Sequence, residues 1–579
     1  MREIDLMKKL KEFWTEGDSG NQEWRNRAKN SFKFYKGDQW DSDDVSKLKN
    51  EGRPYLTFNH IFPIINLLSG FQRQNRQDIK VYPRKGGIRT IAEILTELCK
   101  HAQDTSNGDY EHSMCFYDGI IGGKGWLGLD VSYQHDPLNG DIVIERLSPF
   151  DIIEDPNAKE YDLNKSAKFI IRPFWWDKDE CVLNYPKKKT EILGEENLGL
   201  EPDSPEISSV ETDTYQENQS AVVEAPRKFR YRVKEYWWKS YERRKFLINV
   251  ATLEAKRIDS SKEDLTEALM RRKPTAEFDP RIYRIKERVI PTLHCTTTVG
   301  SIILEDIENP FGEITLFPFF RFCPYWIDGK VMGVVDNLKD PQQEINKRVS
   351  QTLHHLNQSA NSGWVMDKGA VDDKSVLEDF GSKPGVVIEK NPGKDLAKLT
   401  PTPLSEGHLR LAGLGAENLK IISGVNADLL GQRPERQESG VAMELRHRQG
   451  ATTSEIVFDN FNYTQQIFNQ ALVELIRKTN VYSEEEIKAV VDESKLDVNL
   501  AVLGSLKVGR YGIKISQSPN MPTTRMANFQ AILEAVKSGL PIDPEFVIEL
   551  SDLPNKEAIL ADLKAKKQQA MAMQPPPGA

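Results

Sequence analysis

Polar and apolar positions between Asp336 and Gly440 follow a helical period twice, with an insertion between the two helices and a polar loop after them. In Asp340-Pro341-Gln342-Gln343, Asp340 suits an N-cap, Pro341 the first helical position, and Gln343 the returning bond of a capping box. Apolar residues recur at Ile345, Val349, Leu353, Leu356 and Ala360 as one buried stripe, until Asn361-Ser362-Gly363 breaks it. Thr402-Pro403 repeats the start, Leu409, Ala412, Ala416, Leu419 and Ile422 repeat the stripe, and Gly424 supplies the stop. Two helices of about 21 residues, roughly 31 Å each, predict an antiparallel pair with the insertion at its far end. The loop that follows, GVNADLLGQRPERQESG from Gly424 to Gly440, is too polar and broken to bury, so it is expected in solvent or against a polar ligand. From Val441 to Lys478, Val457, Phe461, Thr464, Phe468, Leu472 and Leu475 predict a helix of up to about 57 Å, kinked at Gly450.

The chain before this region reads as mixed α+β. Residues 1–36 form a charged helical pattern with Trp24, Ala28, Ser31, Phe32 and Tyr35 on one face, and GDQW (37–40) and EGRPYLTFN (51–59) make turns and an extended piece. Helices are expected over Ile61–Asn75 and Thr90–Ser106, with a polar strand Asp78–Pro83 between them. Trp126, Leu127, Leu129, Val131 and Tyr133, the turn pair Asn139-Gly140, then Ile142, Ile144 and Leu147 predict a β-hairpin. Residues 187–226 carry three lysines followed by ten acidic residues and one aromatic, a mobile insertion by composition. In RKFRYRVKEYWWKSYERRKF (227–246), basic and aromatic residues interleave as in a nucleic-acid surface, but alternation at Phe229, Tyr231 and Val233 favours a half-buried strand. Strands continue over Ile282–Leu304. A strand Gly385–Lys390, a polar helix 482–495, an extended piece Tyr511–Ser516 and helices Thr523–Ser538 and Pro544–Leu550 complete the reading, before a disordered tail.

Composition narrows the function. At 579 residues the chain exceeds one hydrophobic core, and 39% hydrophobic with 28% charged residues describes a globular chain with a wet surface. The longest apolar run, Ile61–Leu68, is far short of a membrane span, and the charged start MREIDLMKKLKEFW lacks a signal peptide's apolar core, so the cytoplasm is the expected place of synthesis and assembly. Cys99, Cys115, Cys181, Cys295 and Cys323 show no metal-ligand spacing and are expected as buried thiols. A net charge of −9 opposes a protein that grips DNA over its whole surface. GIIGGKGW (119–126) is not a phosphate loop, because Lys124 is followed by Gly125 and the glycine spacing is wrong; a tight strand entry is expected instead. Asp151, Glu154 and Asp155, with Asp130, Asp136 and Asp141, raise a metal-nuclease reading, against which PFDIIEDP reads as a strand end and turn. No catalytic residue, metal or cofactor is expected.

The phrases NLKDPQQEINKRVSQTLHHLNQSANSGWVMDKGAVDD (337–373) and LLGQRPERQESGVAMELRHRQG (429–450) resemble the portal, or head-to-tail connector, proteins of tailed bacteriophages, in particular the P22-like branch, over about residues 24–553. The resemblance implies a portal fold: an α/β wing over 1–335, stem helices at 336–361 and 403–424 around a clip at 362–402, a channel loop at 425–440, a kinked wing helix at 441–479, and wing return with helical crown at 480–566, then a tail at 567–579. It implies a ring of twelve subunits at one capsid vertex of the virion, with major capsid protein, scaffold, terminase large subunit, tail adaptor and double-stranded DNA as partners and no membrane. The stem would pack through Ile345, Val349, Leu353, Leu356, Leu409, Ala412, Ala416 and Leu419. Gln432, Arg433, Arg436 and Gln437 would face DNA phosphates, with Glu435 and Glu438 limiting the grip, unless these arginines pair with the glutamates in a plain surface turn. Lys368, Lys374, Lys390 and Lys394 would face the bore or the terminase. A nuclease or packaging-motor subunit, or another neck or tail protein, are the competing readings.

Overall fold

The computed structural model describes residues 3–76, 78–84, 86–134, 136–194, 230–249, 255–257, 282–312, 314–360, 363–380, 387–399, 406–424, 455–479, 481–491 and 511–516. The amino-terminal part is α1 (Glu3–Lys36), α2 (Ser42–Asn50), α3 (Ile61–Gln74), β1 (Asp78–Pro83), α4 (Arg89–Thr105) and α5 (Gly108–Gly122). Strands β2 (Gly125–Ser132), β3 (Asp141–Leu147) and β4 (Ile153–Glu154) follow, then α6 (Leu163–Ser166), β5 (Phe169–Asp177), α7 (Lys178–Asn184) and α8 (Lys189–Gly194). The middle is β-rich: β6 (Arg230–Asn249), β7 (Ala255–Arg257), β8 (Tyr283–Val299), β9 (Ile302–Glu308), β10 (Phe319–Phe322), β11 (Tyr325–Ile327) and β12 (Lys330–Met332). An outgoing helix (Lys339–Ala360), β13 (Trp364–Met366), a short helix (Ser375–Phe380), β14 (Leu396–Lys398) and a return helix (Glu406–Ser423) come next. A long helix (Glu455–Thr479), a last short helix (Glu484–Val490) and β15 (Tyr511–Ser516) complete the described chain. The segments 523–538 and 544–550 lie outside the described residues, as do the acidic stretch from 195 to 226 and the kink expected at Gly450.

Mixed helix and sheet is therefore the observed class, and several strands fall where the alternation put them. β2 and β3 pair antiparallel with Leu129 opposite Ile144, and Gly140 takes the left-handed φ of +75° that their turn requires. β10 adds to the other edge of β2, giving the order β10-β2-β3. The basic-aromatic stretch is a strand: β6 lies between β5 and β8 in a sheet ordered β4-β5-β6-β8-β9, with β7 on the β6 edge. Tyr231 and Val233 are buried, and the neighbouring cations are spent on aromatic faces, Arg232 and Lys234 lying 4.6 and 3.9 Å from the Trp14 ring. β1 pairs antiparallel with β15, Tyr82 opposite Gly512, so the end of the described chain closes onto its beginning.

Helix α5 is where the apolar pattern failed as a guide. Its buried residues, among them His112, Cys115, Phe116, Gly119 and Ile120, lie on most sides, so there is no stripe to read. The helix ends at Gly123, at a φ of +88°, and the strand entry expected from GIIGGKGW follows. A Cβ on Gly125 would stand 2.0 Å from the Cys115 carbonyl oxygen, so only glycine lets β2 leave so close to the helix. Around α5 the main core assembles, with the Phe116 ring 5.4 Å from Phe322, 5.6 Å from Phe458 and 5.0 Å from Phe461.

One carboxylate of the nuclease reading is committed to structure. Glu154 is buried between Lys124 and Arg321, at 2.7 Å from each. Burial pushes its carboxyl up, but Arg321 and Lys124 more than reverse this and hold it below the usual range. Asp155 accepts from the backbone amides of Asn157 and Lys168, and Asp136 from that of Leu138, all at 2.9 Å. Among the described residues no group of three or more His, Cys, Asp or Glu is placed to share a metal ion. All five cysteines are buried, free thiols, and burial pushes Cys99 up to about 12.

Candidate assembly and channel surfaces

The helical hairpin expected from the two apolar stripes is present, and its base is built from polar residues. A 3-10 turn at Val335–Asn337 leads into the outgoing helix, which starts one residue before the expected cap Asp340. In that turn Asp336 accepts from Ser31 Oγ, the Gly333 amide and Lys339 Nζ, each at 2.9 Å, and pairs with Arg27 at 3.4 Å. The start of the hairpin is thus fastened to the last third of α1 by one buried carboxylate.

Above it, three polar residues of the outgoing helix hold the extended segment between α2 and α3. Gln342 Oε1 accepts from the His60 amide at 3.0 Å, Asn346 Oδ1 from the Phe58 amide at 2.9 Å, and Ser350 Oγ from the Leu56 amide at 3.0 Å. The spacing explains the fit: four residues of helix rise about 6.0 Å and two of extended chain about 6.6 Å, so every fourth helical side chain meets every second amide. Gln342 Nε2 also donates to the Phe58 carbonyl at 2.6 Å, and Asn346 Nδ2 to Gln39 at 2.7 Å. The expected stripe Ile345, Val349, Leu353 missed this second face, although its period was legible in Gln342, Asn346 and Ser350.

The return helix lies antiparallel to the outgoing one. Its Gly415 faces Ile345, whose Cγ1 would stand 2.9 Å from an added Cβ, and Lys420 near its end lies close enough to His60 to help burial lower that imidazole's pKa. Ile345 and Leu419 are buried in the main core, with Val349 and Ala416 packed on its edge. Leu353 is half-buried and Leu356 is 51% exposed, so burial between the two helices is confined to the base of the hairpin. The side chains of Leu409 and Ala412 lie outside the described residues. Leu411, Leu414, Ile421 and Ile422 of the return helix are exposed.

The insertion at the far end is a small unit. β13 and β14 pair antiparallel, Val365 opposite Ala397, and Asp367 and Asp395 exchange bonds beyond the pair, each at 2.9 Å. Residues 387–390 are irregular where a strand over Gly385–Lys390 was expected, and 385–386 lie outside the described residues. Lys368, Lys374 and Lys390 are exposed; Lys394 folds back and donates to the carbonyls of Lys368 at 3.1 Å and Gly369 at 2.9 Å. Gln432, Arg433, Arg436 and Gln437, with the whole loop 425–440, lie outside the described residues.

The long helix that follows is seated by its polar edge as well as by phenylalanines. Asn460 Nδ2 donates to the Pro324 carbonyl at 2.9 Å, and Tyr161 Oη and Thr464 Oγ1 share a bond of 2.8 Å. Tyr161 also accepts from the Cys323 amide at 3.1 Å.

Comparison with known proteins gives this arrangement its context. The family model of phage P22-like portal proteins matches residues 11–579, a longer span than the sequence phrases suggested. A portal protein of Helicobacter pylori bacteriophage KHP30 is 24% identical over 212 residues, 36% of this chain and 32% of the relative, so the match spans about a third of that relative's length.

Proposed function

Since the chain belongs to the family of phage P22-like portal proteins, we propose that it assembles into a closed ring at one capsid vertex and serves as the conduit for DNA during packaging and ejection. The observation that carries this reading is the family match from residue 11 to 579. In the proposal the hairpin base is the stem, the β13–β14 unit the clip where terminase and later the tail adaptor dock, and residues 425–440 the channel loop. Exposed Leu411, Leu414 and Leu356 on the hairpin support it, since two helices alone leave apolar faces that a neighbouring subunit would cover. The protein acts as a structural part of the virion, assembled in the host cytoplasm with capsid protein and scaffold, and does no chemistry itself.

Ring closure requires a heterologous interface repeated around an axis. Twelve copies of 66.0 kDa would give a particle of about 790 kDa. Mass photometry and negative-stain imaging of purified protein, with and without scaffold, should find that ring. A chain that stays monomeric at every concentration and with scaffold present would overturn the proposal.

The loop is tested separately. Gln432, Arg433, Arg436 and Gln437 suit contact with phosphates of any sequence, and Glu435 and Glu438 would keep that contact loose. Shortening 429–439 to a few glycines should preserve the ring and reduce DNA retention or packaging. Wild-type retention and packaging by that variant would remove the gate role and leave the ring standing.

A further inference from the structure

A small polar cavity, partly open on the side of Arg76 and Asp109, lies where α3, α4, α5 and the long helix meet beside β1. Its polar lining includes Gln72, Arg76, Asp109, His112, Gln465 and Asn469, and its volume is about 10 Å³, room for the centre of one water molecule. Gln72, His112 and Asn469 are 5%, 4% and 3% exposed. Some of the lining is internally paired: Arg76 meets Asp109 at 3.3 Å and Ser113 Oγ at 3.4 Å, and Gln103 Nε2 donates to Asn469 Oδ1 at 3.4 Å. Four buried atoms find no protein partner among the described residues: Gln72 Oε1, Arg76 Nε and both ring nitrogens of His112. An unpaired buried polar atom is costly, so four of them on three residues that line one water-sized space point to an occupant.

The chemistry of the four atoms selects it. Burial, aided by Arg76, lowers the His112 pKa to about 4, so at neutral pH the ring offers one N–H and one lone pair. The unpaired set therefore contains donors (Arg76 Nε, one ring nitrogen) and acceptors (Gln72 Oε1, the other ring nitrogen). A halide would satisfy only the donors and would face Asp109, and a cation would face Arg76. Water both accepts and donates.

We propose that this cavity is a built-in site for one water molecule, which accepts from Arg76 Nε, donates to Gln72 Oε1 and bonds one ring nitrogen of His112. The water ties α3 to α5 and fixes the His112 ring, which stands edge-on to Phe468 of the long helix at 5.0 Å. The inference does not depend on ring assembly.

A cryo-EM map or crystal structure of the full chain, at a resolution that shows ordered water, should hold a peak within hydrogen-bond distance of Gln72 Oε1 and Arg76 Nε. A cavity without a peak overturns the proposal, and an anomalous peak there from crystals grown in bromide overturns it in favour of a halide. The substitution Gln72→Met gives a readout whose sign decides. With the water present, it deletes a bond and leaves the remaining partners short, so Tm should fall, by roughly 1–2 °C for a chain of this length. In a dry cavity it would remove an unpaired buried acceptor at similar volume, so an unchanged or raised Tm overturns the proposal.

Discussion

The aromatic core around Phe116 and the polar base of the hairpin solve opposite problems. Phe116 of α5 touches Phe322 of β10 and Phe458 and Phe461 of the long helix, joining three elements far apart in sequence with no directional bond. The outgoing helix is joined to the amino-terminal region by countable bonds: Asp336 to α1, and Gln342, Asn346 and Ser350 to the segment 56–60. Apolar burial stabilises in proportion to area and tolerates small shifts, whereas a hydrogen-bond ladder adds little net stability and fixes register. The difference teaches where stability and where position come from: the aromatic core holds the fold together, and the ladder sets how the hairpin leaves it.

The comparison breaks most easily at the core. Phe116→Ala removes a fully buried ring with contacts on two other elements, and it should destabilise the folded chain by about 3–5 kcal/mol, read as a lower denaturation midpoint. A loss under about 1 kcal/mol, on the same scale of large-to-small substitutions, would mean the region collapses around the gap and is not the main store of stability.

Asn346→Ala is the matching test of the ladder, with a smaller expected cost of about 1–3 kcal/mol from the unpaired groups it leaves. Its signature should be local. Chymotryptic cleavage at Leu56 and Phe58, exposed residues held through their backbone, and at neighbouring Tyr55 should speed up while thermal unfolding of the remainder moves little. If cleavage is unchanged, the extended segment is held by something other than the ladder.

How much of this was legible follows from what each element presents to a reader. Strand β3 was visible because its burial nearly alternates, and β2, buried on both faces over Gly125–Leu129, because the turn pair Asn139-Gly140 joins two apolar runs. Helix α5 was invisible because it is buried on most sides, which erases the period. The ladder was missed for another reason: its residues do repeat every four positions, but polar residues on a helix are ordinarily read as solvated. Leu356 was read into the seam because a stripe shows periodicity and not how far the partner covers it; at 51% exposure it stands beyond the buried base. In the insertion, three-residue strands are too short to show alternation, so Gly385–Lys390 drew the eye away from Trp364–Met366 and Leu396–Lys398. The channel-loop assignment rests on sequence and family, because 425–440 lies outside the described residues.

The smallest expected effect separates position from stability inside the β13–β14 unit. The sequence treats Lys368, Lys374, Lys390 and Lys394 alike, but only Lys394 is seen spanning the unit, its ammonium bonding the carbonyls of Lys368 and Gly369. Lys394→Ala should therefore cost about 1 kcal/mol and loosen the turn at 367–370, detected as faster amide exchange there. The other three ammonium groups are exposed, so replacing all three with alanine should change stability by no more than about 0.5 kcal/mol each. If the clip docks terminase or the tail adaptor, that triple variant should still lose binding, most visibly at low salt, because an exposed positive patch acts through long-range attraction that ions screen. Lys394→Ala should lose binding only as far as it loosens the clip. Equal loss of binding with an undisturbed exchange pattern in Lys394→Ala would mean its charge is read directly by the partner, and the division between a structural lysine and three docking lysines would fall.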